Sequence, residues 1–103
     1  MKKTILKKYA EAVVKVGANI QKDQYVMIYA SVNQAEFVRM LAKECYKAKA
    51  RFVKVEWSDD EISKISLKHV KYETYIENSK MTEYRLQNMC KIIPACIYVE
   101  VSD

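Results

Sequence analysis

Ser58-Asp59-Asp60-Glu61 sets three carboxylates in consecutive positions, and His69, the single histidine, follows eight residues later. Acids gathered in one turn attract a cation or a substrate amine, and a histidine can act as a general base. A two-metal hydrolase asks for more: several convergent carboxylate and imidazole ligands around ions roughly 3.5–4 Å apart. Three adjacent acids with no second histidine do not build that cage. The same residues also suit a purely structural role. Ser-Asp-Asp-Glu has the form of a capping box, in which Ser58 accepts the N–H of Glu61 and Glu61 reaches back to the N–H of Ser58. Acids at that point complement the helix dipole. Asp59, Asp60, Glu61 and His69 are therefore candidate cavity or cation contacts, and no residue is assigned as catalytic or as a metal ligand.

Other reactive types give less. Cys45, Cys90 and Cys96 are odd in number, form no Cys-x-x-Cys and have one histidine for company, which argues against zinc and for free thiols. Cys45 falls on the apolar face of a helix and Cys96 in an apolar strand. The loop Ala30-Ser31-Val32-Asn33 lacks the glycines of a phosphate-binding turn, and Ser31 lacks a G-x-S-x-G setting. Nucleotide binding of the usual kind and a hydrolase elbow are both disfavoured. Of the eight tyrosines, Tyr9, Tyr25, Tyr29, Tyr46 and Tyr98 fall in regular elements as core or interface residues, whereas Tyr72, Tyr75 and Tyr84 can line a contact surface.

The elements that position these residues follow from periodicity. Leu6, Tyr9, Ala10, Val13 and Val16 recur at helical steps and predict a helix over Lys3–Val16, closed by Gly17. Gln21–Gln24 is a turn. Tyr25–Ala30 is apolar throughout, as in a strand covered on both faces. A second helix is expected over Gln34–Ala48, started by Asn33 with Glu36 and burying Val38, Leu41, Ala42 and Cys45. Arg51–Trp57 alternates, with Val53, Val55 and Trp57 on one face and Lys54 and Glu56 on the other, which suits an edge strand. Asp59–Lys68 is a helix, and Val70–Cys90 is helical with a break near Asn78–Met81. Pro94 ends that run, and Ala95–Val101 is a third strand. The order implies a single α/β domain over residues 1–103: a leading N-terminal helix, then a parallel sheet of about three strands, ordered 2-1-3, with flanking helices. The sheet would keep an exposed edge that association with another chain covers.

Composition narrows the class. One glycine and one proline in 103 residues exclude linkers and low complexity. The net charge of +5 rests on lysines, with Lys2, Lys3, Lys7 and Lys8 crowded at the start. A solvated helix face explains them better than nucleic acid does, because no aromatic residues interleave with them. Lys7, Lys8 and Glu11 interrupt any signal-peptide core, and no run approaches the ~20 apolar residues of a membrane span. The expectation is a cytoplasmic protein without membrane contact.

Lys8-Tyr9-Ala10-Glu11, Val14-Lys15-Val16-Gly17, Asn19-Ile20-Gln21-Lys22, Ala35-Glu36-Phe37-Val38-Arg39 and Glu56 to Glu61 stand in an order that resembles the N-terminal domain of the metal-dependent aminopeptidases of the aminopeptidase T and aminopeptidase S type. The resemblance is dense from Leu6 to Asp60 and continues more loosely through His69, at a place where a full-length relative also has a histidine, to the end. It departs at Asp23 and Lys49, where the family commonly has glycine, and this implies turns formed at some conformational cost. Family members are much longer, and their two metal ions are held in a C-terminal domain. The resemblance thus implies a non-catalytic N-terminal domain of an enzyme that removes N-terminal residues from peptides. Zinc- or cobalt-type ions would belong to the full-length protein and none to this chain, which alone would be inactive and would help wall the cavity and form a homo-oligomer. The alternative is a free-standing α/β interaction or dimerisation module without peptidase activity.

Overall fold

The computed structural model describes residues 2–91 and 95–99. The elements are α1 (Lys3–Ala12), β1 (Tyr25–Ser31), α2 (Ala35–Lys47), β2 (Phe52–Ser58), α3 (Asp60–His69), α4 (Tyr72–Cys90) and β3 (Ala95–Tyr98). The three strands are parallel in the order β2-β1-β3, as expected from the sequence. Tyr25 pairs with Phe52 and Ser31 with Ser58 on one side of β1, and Val26 pairs with Ala95 and Tyr29 with Tyr98 on the other.

The central strand sorts its side chains by parity. Val26, Ile28 and Ala30 join Ala10 and Val14 of the leading helical segment, Val38, Leu41 and Cys45 of α2, and Ile97 of β3 in the main core. Met27 points the other way and is also fully buried. Burial holds the Cys45 thiol up at about 11, with the neighbouring Glu44 charge adding to the shift. On β2, Val53 and Val55 pack against the main core, and Glu56 faces the opposite side. There Arg85 of α4 donates to the Glu56 carboxylate. The sheet therefore lies between the α1–α2 layer and α4, as right-handed crossovers running in opposite directions require.

Several local expectations are corrected. The first helix does not stay α-helical to Val16: Val13–Gly17 forms a π turn, and the left-handed residue beyond it is Asn19 (φ 49°), not Gly17. Asn33 and Glu36 do not form the expected box. Ser31 Oγ accepts the Asn33 N–H at 3.3 Å, and a 3₁₀ turn, Val32–Gln34, leads into α2. α4 runs unbroken through Asn78–Met81, a stretch without glycine or proline to interrupt it. The turns at Asp23 and Lys49 take the left-handed conformation that glycine favours, with φ of 62° and 71°. Pro94, the side chain of Cys90 and the end of strand 3 at Val101 lie outside the described residues.

The Cα radius of gyration, 15.6 Å, exceeds the ~13 Å expected for a compact chain of this length. No residue of α3 is buried, and Ile62, Ile65 and Leu67 are each more than half exposed.

Candidate functional site: the crevice at the strand carboxyl ends

In open α/β sheets, ligands settle beyond the carboxyl ends of the strands, where successive crossovers leave in opposite directions. Here that place lies beside β1, between the ends of β2 and β3. A cavity of about 460 Å³ occupies it, lined by Tyr29, Ser31, Glu56, Ser58, Asp60 and Tyr98 among others. The parallel register puts Tyr29 beside Tyr98, and their rings stack with centroids 4.8 Å apart and planes 9° from parallel. Ser58 Oγ donates to the Ala30 carbonyl at 3.4 Å and so ties the ends of β2 and β1 together. The Glu56 carboxylate accepts from Arg85 and pushes the guanidinium pKa further above its ordinary value. That carboxylate is thereby paired, which leaves Asp60 as the other acid among the crevice's described lining residues.

The four residues singled out in the sequence have different fates. Asp59, not Ser58, caps α3: its Oδ1 accepts the Glu61 N–H at 3.0 Å. The expected box does not form because Ser58 remains in β2, paired with Ser31, and a single cap bond one residue on takes its place. Asp60 opens α3 and lines the crevice. Glu61 is exposed and lies 3.7 Å from Lys64, one turn on. His69 closes α3, roughly 14 Å from Asp60 along the helix axis. Asp59, Asp60 and Glu61 share one turn, and His69 does not join them. The Tyr29–Tyr98 stack and the Arg85–Glu56 pair were not found in the sequence. Each joins residues far apart in the chain, and only the register of the sheet and the path of α4 bring them together.

A metal ion needs several convergent donors. Among the described residues no group of three or more His, Cys, Asp or Glu side chains is placed to hold one. The donor set therefore does not fit a metal centre, and the crevice offers hydrogen bonds, an aromatic wall and one free carboxylate instead. No helix among the described residues is long and apolar enough to cross a membrane.

Comparison with known proteins agrees with this architecture. The family model described as thermophilic metalloprotease (M29) matches residues 2–103. Aminopeptidase AmpS of Bacillus subtilis (strain 168) is 40% identical over 72 residues, which cover 70% of this chain and 18% of that protein. Aminopeptidase T of Thermus thermophilus is 36% identical over 59 residues, 57% of this chain and 14% of that one. The solved structure of wild-type AmpT from Thermus thermophilus superposes with a TM-score of 0.66 at 34% identity, covering 69% of this chain and 18% of that chain. The chain spans less than a fifth of the curated relatives it matches. The match over residues 2–103 settles the lineage: the chain belongs to the thermophilic metalloprotease (M29) family.

Proposed function

We propose that residues 1–103 form the N-terminal, non-catalytic domain of a cytoplasmic metal-dependent aminopeptidase. The observation that carries this reading is the family match over residues 2–103, combined with relatives named aminopeptidases that are several times longer. The domain's part is architectural. Its sheet presents the carboxyl-end crevice as one wall of a peptide-binding cavity, and the divalent ions are supplied by residues elsewhere in the full-length enzyme. Asp60, on the crevice wall, can contact a peptide's free amine. Asp59 positions Asp60 by capping α3. Glu61 and His69 lie on the outer surface of the same helix and can contribute only to the field around the cavity. The chain alone should not hydrolyse leucyl-p-nitroanilide with cobalt or zinc added. Metal-dependent release of the chromogenic amine by the purified chain would overturn the non-catalytic assignment.

A second reading is that the chain serves as an association module. It is favoured by the exposed apolar side chains of α3, with Ile62 60% and Ile65 57% exposed one turn apart. The two readings are compatible where this face forms the dimer contact of the larger enzyme.

A further inference from the structure

α1 and α2 pack side by side, Tyr9 against Phe37 with ring centroids 5.6 Å apart. The two helices also enclose a groove of about 550 Å³ lined by Lys3, Thr4, Lys7, Met40, Lys43, Glu44 and Lys47. Two of its ammonium groups have acidic neighbours: Lys47 Nζ lies 3.2 Å from Glu44 and Lys3 Nζ 4.0 Å from Glu36. Lys7 and Lys43 have no carboxylate partner among the described residues. Glu44 is nearly buried and already engaged, so the groove keeps a surplus of positive charge.

Lys3 and Lys7 stand four residues apart on one helix and Lys43 and Lys47 four apart on the other, so each helix sets like charges on a single face. α1 begins without an acid in its first turn and without a side-chain cap. The positive end of its dipole is left uncompensated beside Lys3 and Thr4. An anion with several charges, lying between the helices, would meet the ammonium groups of both helices at once. No aromatic side chain lines the groove, so nothing there stacks on a base.

We infer that the α1–α2 groove binds an oligophosphate chain, held by Lys3, Lys7, Lys43 and Lys47 with the Thr4 hydroxyl, and recognised through its charge. This site lies on the opposite layer of the sheet from α4 and does not depend on the aminopeptidase reading.

The test is calorimetric titration of the 103-residue chain with inorganic tripolyphosphate, with ATP and with a short DNA duplex. Tripolyphosphate and ATP should bind within about threefold of each other, since stacking of the base would add a factor of ~5 or more. Binding should weaken about tenfold between roughly 50 and 200 mM salt, as screening of phosphate contacts requires. Lys7→Glu with Lys43→Glu should abolish it, and the milder Lys43→Gln should weaken it without touching the fold. Lys64→Glu with Lys68→Glu on α3, an equal change of net charge, should leave it intact. Failure of tripolyphosphate to bind at the lower salt, equal loss in the α3 control, or binding of the duplex alone would overturn the inference.

Discussion

The amide of Asp23 donates to the carbonyl of Lys49 at 2.8 Å, and both residues are left-handed, with φ of 62° and 71°. Two connections in succession thus meet where neither residue is glycine: the turn before β1 and the end of α2. The amide of Arg51 returns the contact to Gln24 at 2.8 Å, so the two turns set the relative height of β1 and β2.

A side chain with a Cβ is strained at such positions. Lys49→Gly should therefore stabilise the chain by about 1 kcal/mol, and Asp23→Gly by a few tenths, because Asp tolerates this conformation better. Lys49→Val should destabilise it. Urea midpoints for the three variants check the order, and a loss of stability in Lys49→Gly would refute the strain.

Asp59 caps α3 and Ser58 does not, so their alanine variants should separate. Asp59→Ala loses the bond to the Glu61 amide and should cost ~0.5–2 kcal/mol of helix stability. Ser58→Ala removes only the 3.4 Å contact to the Ala30 carbonyl and should cost less. Hydrogen exchange at the amides of residues 61–63 reads the difference directly.

Cys45 supplies a pH dependence. Its thiol is raised from 9.0 to about 11 in the folded chain. Between those values the unfolded chain has released the proton and the folded chain has kept it. The unfolded state then binds fewer protons, so stability falls as pH rises. Cys45→Ala lacks this dependence, although it loses packing at a fully buried site. The stability advantage of wild type over Cys45→Ala should narrow from pH 9 towards pH 11, and a gap that stays constant would contradict the assigned shift.

The exposed apolar face of α3 should drive association. Ile62→Glu with Ile65→Glu removes two apolar side chains from the surface without opening the core, since neither is buried. Light scattering after size exclusion should show a dimer for wild type and a monomer for the variant at equal concentration. A wild-type monomer at high concentration would remove α3 as a contact surface.

The fold was legible in the sequence where a single period persisted. Tyr25–Ala30 is unbroken apolar chain and becomes most of the central strand, and the alternation of Val53 and Val55 with Lys54 and Glu56 marks an edge strand with two unlike faces. Val38, Leu41 and Cys45 mark the inner face of α2. Legibility failed where two local rules competed. Ser58 satisfies both a strand pairing and a cap, and the pairing with Ser31 prevailed, which moved the cap to Asp59. It failed again for contacts set by tertiary packing. Arg85 meets Glu56 across 29 residues, and Lys43 faces Lys7 only because α1 and α2 lie together. The crowding of lysines at the start of the chain looked like a solvated helix face, since the second half of their groove comes from α2.

If residues 1–103 serve as the proposed N-terminal, non-catalytic domain, they should be able to replace their counterpart in a longer relative. This is tested most directly by a chimera in which the part of this chain that matches aminopeptidase T from Thermus thermophilus replaces the corresponding segment of that enzyme, assayed with and without divalent metal. The soluble chimera should still release N-terminal residues from peptides, with this activity abolished by chelation and restored by added metal. A soluble chimera that binds metal yet hydrolyses nothing would contradict the proposed role.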